Sequence, residues 1–442
     1  MAKHWRRLAA LAGAIALTHA CMAADVSGKW VATIESQAEP QYAHVFLKVD
    51  GTKLTGMWGA SKIDGVLTGT DVKITLTYGD GNPAGKLAGT VTGNTLTGTG
   101  AITERRGRGG MPGGFARRGP TVVKWTLSRP AVPPATPRSI DFVPTNFFAT
   151  YSAKNKPALT IFPGDVVHTW TADAGGVDAK GVRHRGGDSN LGPFYVEGAL
   201  PGDTLVVHLL KVRTNRSTAH QGSHFNANAV TAAYLVGAQY DPAVDGEWTL
   251  LPDKGIAVPT HPSEHMKNYS VPMKPMLGCI SVAPAGDEQF RGNDLGPFGG
   301  NMDYNENVEG ATLYFPVFQP GALLGMGDGH AAMGDGEVVG SGLETSMDVD
   351  FSVDVIPGDS SGQVRAETKD YLIAFGVSGS VPTSIQIATS QLAIWIKQKY
   401  KLSDSEVAIL FASTLKYDIT ELVDPRFNLA AKVPKSVLAA MK

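Results

Sequence analysis

Residues Met347–Ile356 read MDVDFSVDVI. Met347, Val349, Phe351, Val353 and Val355 fall on one face, and Asp348, Asp350, Ser352 and Asp354 on the other. A period of two is the signature of a β-strand with one face on a core and one in water. Working outward, FPGD (Phe162 to Asp165) leads into Val166 to Asp173, and LPGD (Leu200 to Asp203) leads into Thr204 to Val212. Each joins a proline-glycine turn to a β-rich run. Thr312 to Phe318 reads as a further strand. The period then changes: Ser384 to Tyr400 and Ser403 to Leu415 lack Gly and Pro and space their apolar residues near 3.6, with Ser403 and Asp404 as helix starts. The expected fold is mainly β, sandwich- or barrel-like, with a few helices near the C-terminus.

At 442 residues the chain is too long for one ordinary core. Its 43% hydrophobic content is that of a globular protein, and a formal charge of -2 offers no nucleic-acid footprint. Lys3, Arg6 and Arg7, the apolar run Leu8 to Leu17 and the small residues Ala20, Ala23 and Ala24 form an export signal over 1–24, too short for a membrane span. The expected location is periplasmic or secreted. A lipid anchor at Cys21 is the weaker reading, because Thr18-His19 fits a lipobox poorly. Once the signal is removed Cys279 stands alone, so no intrachain disulfide forms.

A first domain is expected over 25–130. Val72, Ile74, Leu76 and Tyr78 alternate with Lys73, Thr75 and Thr77, and Asp80-Gly81 and Gly93-Asn94 supply turns. A small β-barrel or sandwich follows. Its SGKW start and its KLTG, VLTG and TLTG segments resemble the lipocalin-like β domains of secreted bacterial proteins. The arginine- and glycine-rich stretch Glu104 to Gly119 reads as a hairpin loop. Pro130 to Pro137 supplies a semi-rigid linker, placed at 131–138, before a second domain over 139–442.

In that second domain GDGHAAMGDGE (Gly327 to Glu337) crowds carboxylates beside one histidine. Asn301 and Asp303 precede it in GGNMD, and Glu344 follows. No Gly-x-Ser-x-Gly elbow stands at a strand-to-helix junction, and Cys279 lies in the apolar LGCISVAP, where a thiol is inert. One imidazole among carboxylates suits a divalent metal of borderline hardness, zinc first and calcium second. The metal would activate a water for hydrolysis, and Glu337 or Glu344 would shuttle the proton. The competing reading makes Asp328-Gly329 and Asp335-Gly336 plain hairpin turns. His168, His208, His220, His224, His261 and His265 are read as strand or loop residues, and Phe298, Tyr304, Tyr314 and Phe315 as core or pocket wall.

GPFYVEGALPGD (Gly192 to Asp203), PFGGNMD (Pro297 to Asp303), TLYFPVFQPGALLGMGDGHAAMGDGE (Thr312 to Glu337) and LETSMD (Leu343 to Asp348) together resemble the acetamidase/formamidase family. The tail segments YDITELVD (Tyr417 to Asp424) and VPKSVL (Val433 to Leu438) fit as well. The resemblance implies a β-rich fold, hydrolysis of short-chain amides to carboxylate and ammonia, a divalent metal and assembly as a homodimer or larger homo-oligomer. It puts Asp173, Asp303, Asp328 and His330 at the metal, Glu337, Asp335 and Glu344 in catalysis, and Asn301 and Met333 at the substrate. Two departures stand out: NFFATYSAKNKPAL (Asn146 to Leu159) lacks an early histidine, and Met333 replaces a glutamine. They leave two alternatives open, a hydrolase of another amide or ester and a non-catalytic binding protein on the same fold.

Overall fold

A computed structural model describes residues 25–35, 39–103, 120–359 and 361–441. The export signal over 1–24 and the Glu104 to Gly119 loop lie outside the described residues. The chain divides into two compact units, one made of the chain before Glu39 with Val45–Arg129, the other of Glu39–His44 with Pro130 onward. Pro130 to Pro137, without helix or strand, therefore falls in the second unit.

The first unit is a closed barrel of eight antiparallel strands. Val31 to Glu35 pair with Ser128 to Lys124, which joins the last strand to the first and removes the sheet edge. Alternation drives the closure: Val72, Ile74 and Leu76 are buried while Lys73 and Thr75 are exposed. Trp58 and Trp125 meet edge to face inside, with ring centroids 5.8 Å apart.

The second unit is a sandwich of a 12-stranded and a 9-stranded sheet. Met347–Ile356 lies inside the smaller sheet, paired antiparallel with Thr204–Thr214 and Val166–Thr171. Val349, Phe351 and Val353 are fully buried. They share one core with Phe194, Leu277, Ile280, Leu324 and Met326 of the larger sheet. Phe194 and Phe351 meet at 5.0 Å. The outward aspartates find partners on flanking strands: Lys211 Nζ lies 3.2 Å from Asp348, His168 3.0 Å from Asp350 and His208 3.1 Å from Asp354.

The helices Val381–Tyr400 and Asp404–Thr414 bury Leu392, Trp395, Ile396, Val407 and Leu410 against the outer face of the smaller sheet, over Leu372, Ala374, Ala431 and Val433. Ser403 closes a capping box with Glu406. The longer helix begins at Val381, three residues earlier than its sequence pattern indicates. Ser380 caps it, and Pro382 sits in the first turn, where a missing N–H leaves no bond unmade. Gly376 is the contact that sets this layer's spacing, because a Cβ there would run into the Ser384 carbonyl oxygen of the helix.

Gly376→Ala is therefore expected to lower unfolding free energy by about 1–3 kcal/mol, the usual scale of overpacking. Gly379→Ala, which meets nothing within 4 Å, should stay within about 0.5 kcal/mol of the parent. Urea melts of the two variants check the difference.

Candidate functional site

The site forms where strand Leu324–His330 runs between Met276–Ser281 and Glu344–Thr345 in the larger sheet. Asp328-Gly329 is therefore part of a buried strand and makes no turn. Residues two apart on a strand share a face, which puts Asp328 and His330 together. His330 is the register partner of Glu344. Asp303 follows the neighbouring strand Gly299–Asn301, and Glu337 comes from the loop after His330. That loop docks by Gly336 on Glu421, the last residue of strand Lys416–Glu421 in the smaller sheet.

Three overlapping sets of donor atoms result, Asp303 with Asp328 and His330, His330 with Glu337 and Glu344, and Asp303 with Glu337 and Glu421, each within 4.8 Å. His330 Nε2 lies 3.0 Å from Glu344 Oε1, 3.4 Å from Asp328 Oδ1 and 4.0 Å from Glu337 Oε1. All six residues are buried. Both oxygens of Asp303, Oδ1 of Asp328, Oε2 of Glu344, Oε2 of Glu421 and both ring nitrogens of His330 lack a hydrogen-bond partner. So many orphaned acceptors on one point fit a cation.

Glycine makes the convergence possible. A Cβ at Gly278 would overlap the carboxylates of Asp303 and Asp328, and one at Gly342 would strike the His330 ring. Asp303, Asp328 and Glu337 also hold positive φ of 39°, 56° and 46°. Backbone in this region costs a non-glycine residue on the order of 1 kcal/mol or more and concentrates at functional sites.

The charges are correspondingly unsettled. Burial, with the neighbouring acids Glu337, Asp328 and Glu421, pushes Asp303 well above the ordinary carboxylate range. Burial also lifts Glu337 well above its ordinary value and Glu344 to about 7, against the pull of His330 on both. Burial opposes charge on His330, yet Glu344 and Asp328 outweigh it and raise the imidazole. Burial likewise opposes charge on Asp328, but His330 holds it below its ordinary value. Around this centre, burial pushes Asp188 to about 7 and Asp424 to about 8.

The remaining expected site residues lie elsewhere. Asp173 ends in an ion pair, with Arg216 donating to its Oδ2 at 2.5 Å and the Val177 N–H to its Oδ1 at 2.8 Å. Its carboxylate is committed and belongs to none of the three donor sets. Asp335 is exposed and accepts from Asn305 at 2.8 Å. Met333 is half-buried beside the same loop. Asn301 borders the cluster: its Nδ2 donates to Asp424 at 2.8 Å, and its Oδ1 takes the Cys279 thiol at 2.7 Å. Phe298, Tyr304 and Phe315 are core residues, and Tyr314 meets Trp395 edge to face. Gly358 to Gly362 carries the bare Gly-x-Ser-x-Gly spacing, but it links two strands and no helix follows.

Glu421 was the residue missed. It stands inside YDITELVD, which was legible as a motif, but no spacing rule ties it to His330 across about ninety residues of chain. Cys279 was read as an inert core thiol. It is buried, and burial with the nearby acids Asp328, Asp188 and Asp303 raises its pKa well above the ordinary value.

The sequence profile of the Acetamidase/Formamidase family matches residues 297–386, which include Asn301, Asp303, Asp328, His330, Glu337 and Glu344. The acetamidase of Mycolicibacterium smegmatis is 24% identical over 215 residues, 38% of this chain and 53% of that one. The formamidase of Methylophilus methylotrophus is 32% identical over 242 residues, 42% of this chain and 59% of that one. The chain thus spans about half the length of the curated relatives it matches. Among solved structures, a predicted acetamidase/formamidase from Thermoanaerobacter tengcongensis superposes with a TM-score of 0.59 at 27% identity, covering 69% of this chain and 99% of that one. The acetamidase of Yersinia enterocolitica, at 24% identity and a TM-score of 0.58, shares the fold over 68% of this chain and 93% of its own. Through the sequence and fold of its second unit, the chain is related to the acetamidase/formamidase family.

Proposed function

We propose that the protein hydrolyses short-chain linear amides to carboxylate and ammonia at the cluster around His330. The observation that carries this reading is the cluster of five buried carboxylates at one imidazole, four of them with an unpartnered oxygen, in a unit whose relatives are named acetamidase and formamidase. Asp303, Asp328 and His330 would hold a divalent cation, zinc first because the set contains a nitrogen donor. When bound, such a cation supplies Lewis acidity, which acidifies water and polarises a carbonyl oxygen.

Glu344 is the better placed of the two expected proton carriers. The Gly342 N–H holds its Oε1 at 2.9 Å, and its Oε2 is left without a partner. A carboxylate with one oxygen anchored and one free can take the proton from the attacking water and return it to the departing nitrogen. Ammonia then leaves with that proton and the acyl group keeps the water oxygen. Asn301 has both ends of its amide engaged, so it orients Asp424 and Cys279 and does not hold substrate.

Export to the periplasm or medium is part of the proposal and rests on the signal-like residues 1–24. Homo-oligomeric assembly is the other part, in keeping with large exposed apolar side chains such as Val236 (90% exposed) and Ile409 (73% exposed). Among the described residues no helix is long and apolar enough to cross a membrane. Protein from the native host should begin near Ala24 or Asp25 by mass spectrometry, and its native mass should be a multiple of the chain. An intact Met1, or a monomer, would contradict the respective part.

Ammonia release from formamide, acetamide and propionamide, measured beside metal content, tests the chemistry. His330→Ala should lose metal and activity together. Glu344→Gln should keep its metal while kcat falls about 100-fold, the lower scale of general acid-base assistance. Asp173→Ala should cost about 3 kcal/mol of stability by leaving Arg216 unpaired, with metal per folded chain unchanged. A fully active, metal-free His330→Ala protein would overturn the reading.

A further inference from the structure

We propose that residues 221–246 form a strap that closes over the entrance to the His330 cluster and limits the bulk of the amide that enters. The closure stands on geometry; the selectivity rests also on the proposed amide hydrolysis.

The first ground is enclosure. His330 and its five acids are at most 7% exposed, and Glu337 is the most exposed of them. A substrate reaches them only if part of the surface moves, and such parts are drawn from segments with little buried contact. The connection from strand Thr218–His220 to strand Glu247–Leu251 is of that kind, since none of its residues is buried. It far exceeds the usual connection of about 4–6 residues, and long ordered loops commonly cover binding sites. Its rings pack on one another. Phe225 meets Tyr234 edge to face at 5.6 Å, and His224 meets Tyr240 at 4.1 Å.

The second ground is attachment. The strap leaves the sheet after His220, the register partner of Glu344. The Gly222 N–H then donates to Ser341 Oγ at 2.6 Å, the Asn226 N–H to the Val338 carbonyl at 2.9 Å, and Asn228 Nδ2 to the Leu422 carbonyl at 3.1 Å. Val338 follows Glu337, Leu422 follows Glu421, and Ser341 precedes Gly342, which lies against the His330 ring. Each tie thus lands one residue away from the cluster or from the glycine that makes room for it.

The third ground is the neck. The Gln221 N–H donates to the Gly246 carbonyl at 3.0 Å, which holds the two ends of the strap together. Gly246 takes a φ of 74°, and a Cβ there would run into the Gln221 carbonyl oxygen. Opening beyond this neck exchanges hydrogen bonds with water and uncovers no apolar core, so it is a modest change. Closing shuts water out of the cluster. A strap that must reclose on its ties fits over a short amide and is held off by a bulky one.

The test shortens the strap in the full chain, replacing residues 222–245 by Asn-Gly, a two-residue turn that suits paired ends. Access is read without catalysis, by carbethoxylation of His330 in protein stripped of cations and still folded by circular dichroism, with the exposed His265 as internal reference. A site open only part of the time reacts in proportion to that fraction, so His330 should react at least about 10-fold faster than in wild type. With divalent metal restored, kcat/KM for benzamide should rise at least about 10-fold relative to that for acetamide. His330 reacting no faster overturns the strap, whatever the chain hydrolyses. A faster His330 with an unchanged ratio overturns the selectivity and keeps the closure. Wild type that releases ammonia from no amide overturns the proposed function, and the His330 rate still decides the strap. If the shortened chain fails to fold, Asn228→Ala combined with Ser341→Ala, which cuts two of the ties, takes its place in both measurements.

Discussion

Withdrawing carboxylates from water is the constraint on which the second unit depends. Four of them surround His330 and Glu421 joins through Asp303 and Glu337, with no lysine or arginine paired to any of the five among the described residues. An isolated ionised carboxylate in a protein interior is disfavoured by several kcal/mol even after relaxation. Protons or cations must compensate, and the raised affinity of Asp303, Glu337 and Glu344 for protons is the same fact seen without a cation. The backbone is shaped around that need. Gly278 and Gly342 leave room for the side chains to meet, and three of the acids accept left-handed backbone to do so.

Holding the group together requires the whole sandwich. Asp328 and His330 come from one strand of the larger sheet, Glu344 from its neighbour, and Glu421 from the edge strand of the smaller sheet. Their separation is therefore set by how closely the two sheets pack. Phe194 against Phe351, with Leu205, Leu277 and Met326 around them, fixes that distance. Each such side chain contributes about 1.5–3 kcal/mol by burial, and together they hold the strained and desolvated site in place. Asp173 contributes differently, tying Arg216 and, through it, the Glu344 carbonyl 3.2 Å away.

Much of this was legible in the sequence. Strict alternation in Met347–Ile356 matches the strand residue for residue, because period two is a direct record of which face meets the core. Ser403 and Asp404 announced their helix through start signals that are local in sequence, and the structure adds Glu406 as the capping partner of Ser403. The site was half legible. His330, Asp328, Asp303, Glu337 and Glu344 stand close together in quoted motifs, and the fold brings them to one point. Asp-Gly read as a turn signal as readily as a strand, since the turn rule cannot see that Gly327 and Gly329 serve close packing between strands. Pairings across distant chain, Asp173 with Arg216 and Glu421 with Asp303, leave no periodic trace. They are properties of the sheet order, which no local pattern encodes.

The central claim is that a divalent cation compensates the charge of this buried cluster, and thermal unfolding with and without a chelator tests it most directly. A ligand present at about 1,000 times its dissociation constant stabilises the folded state by about 4 kcal/mol. Removing it should lower Tm by several degrees, and added Zn2+ or Mn2+ should restore the original melt in wild type but not in His330→Ala. Superimposable melts with and without chelator, from a protein that still releases ammonia from acetamide, would contradict the account.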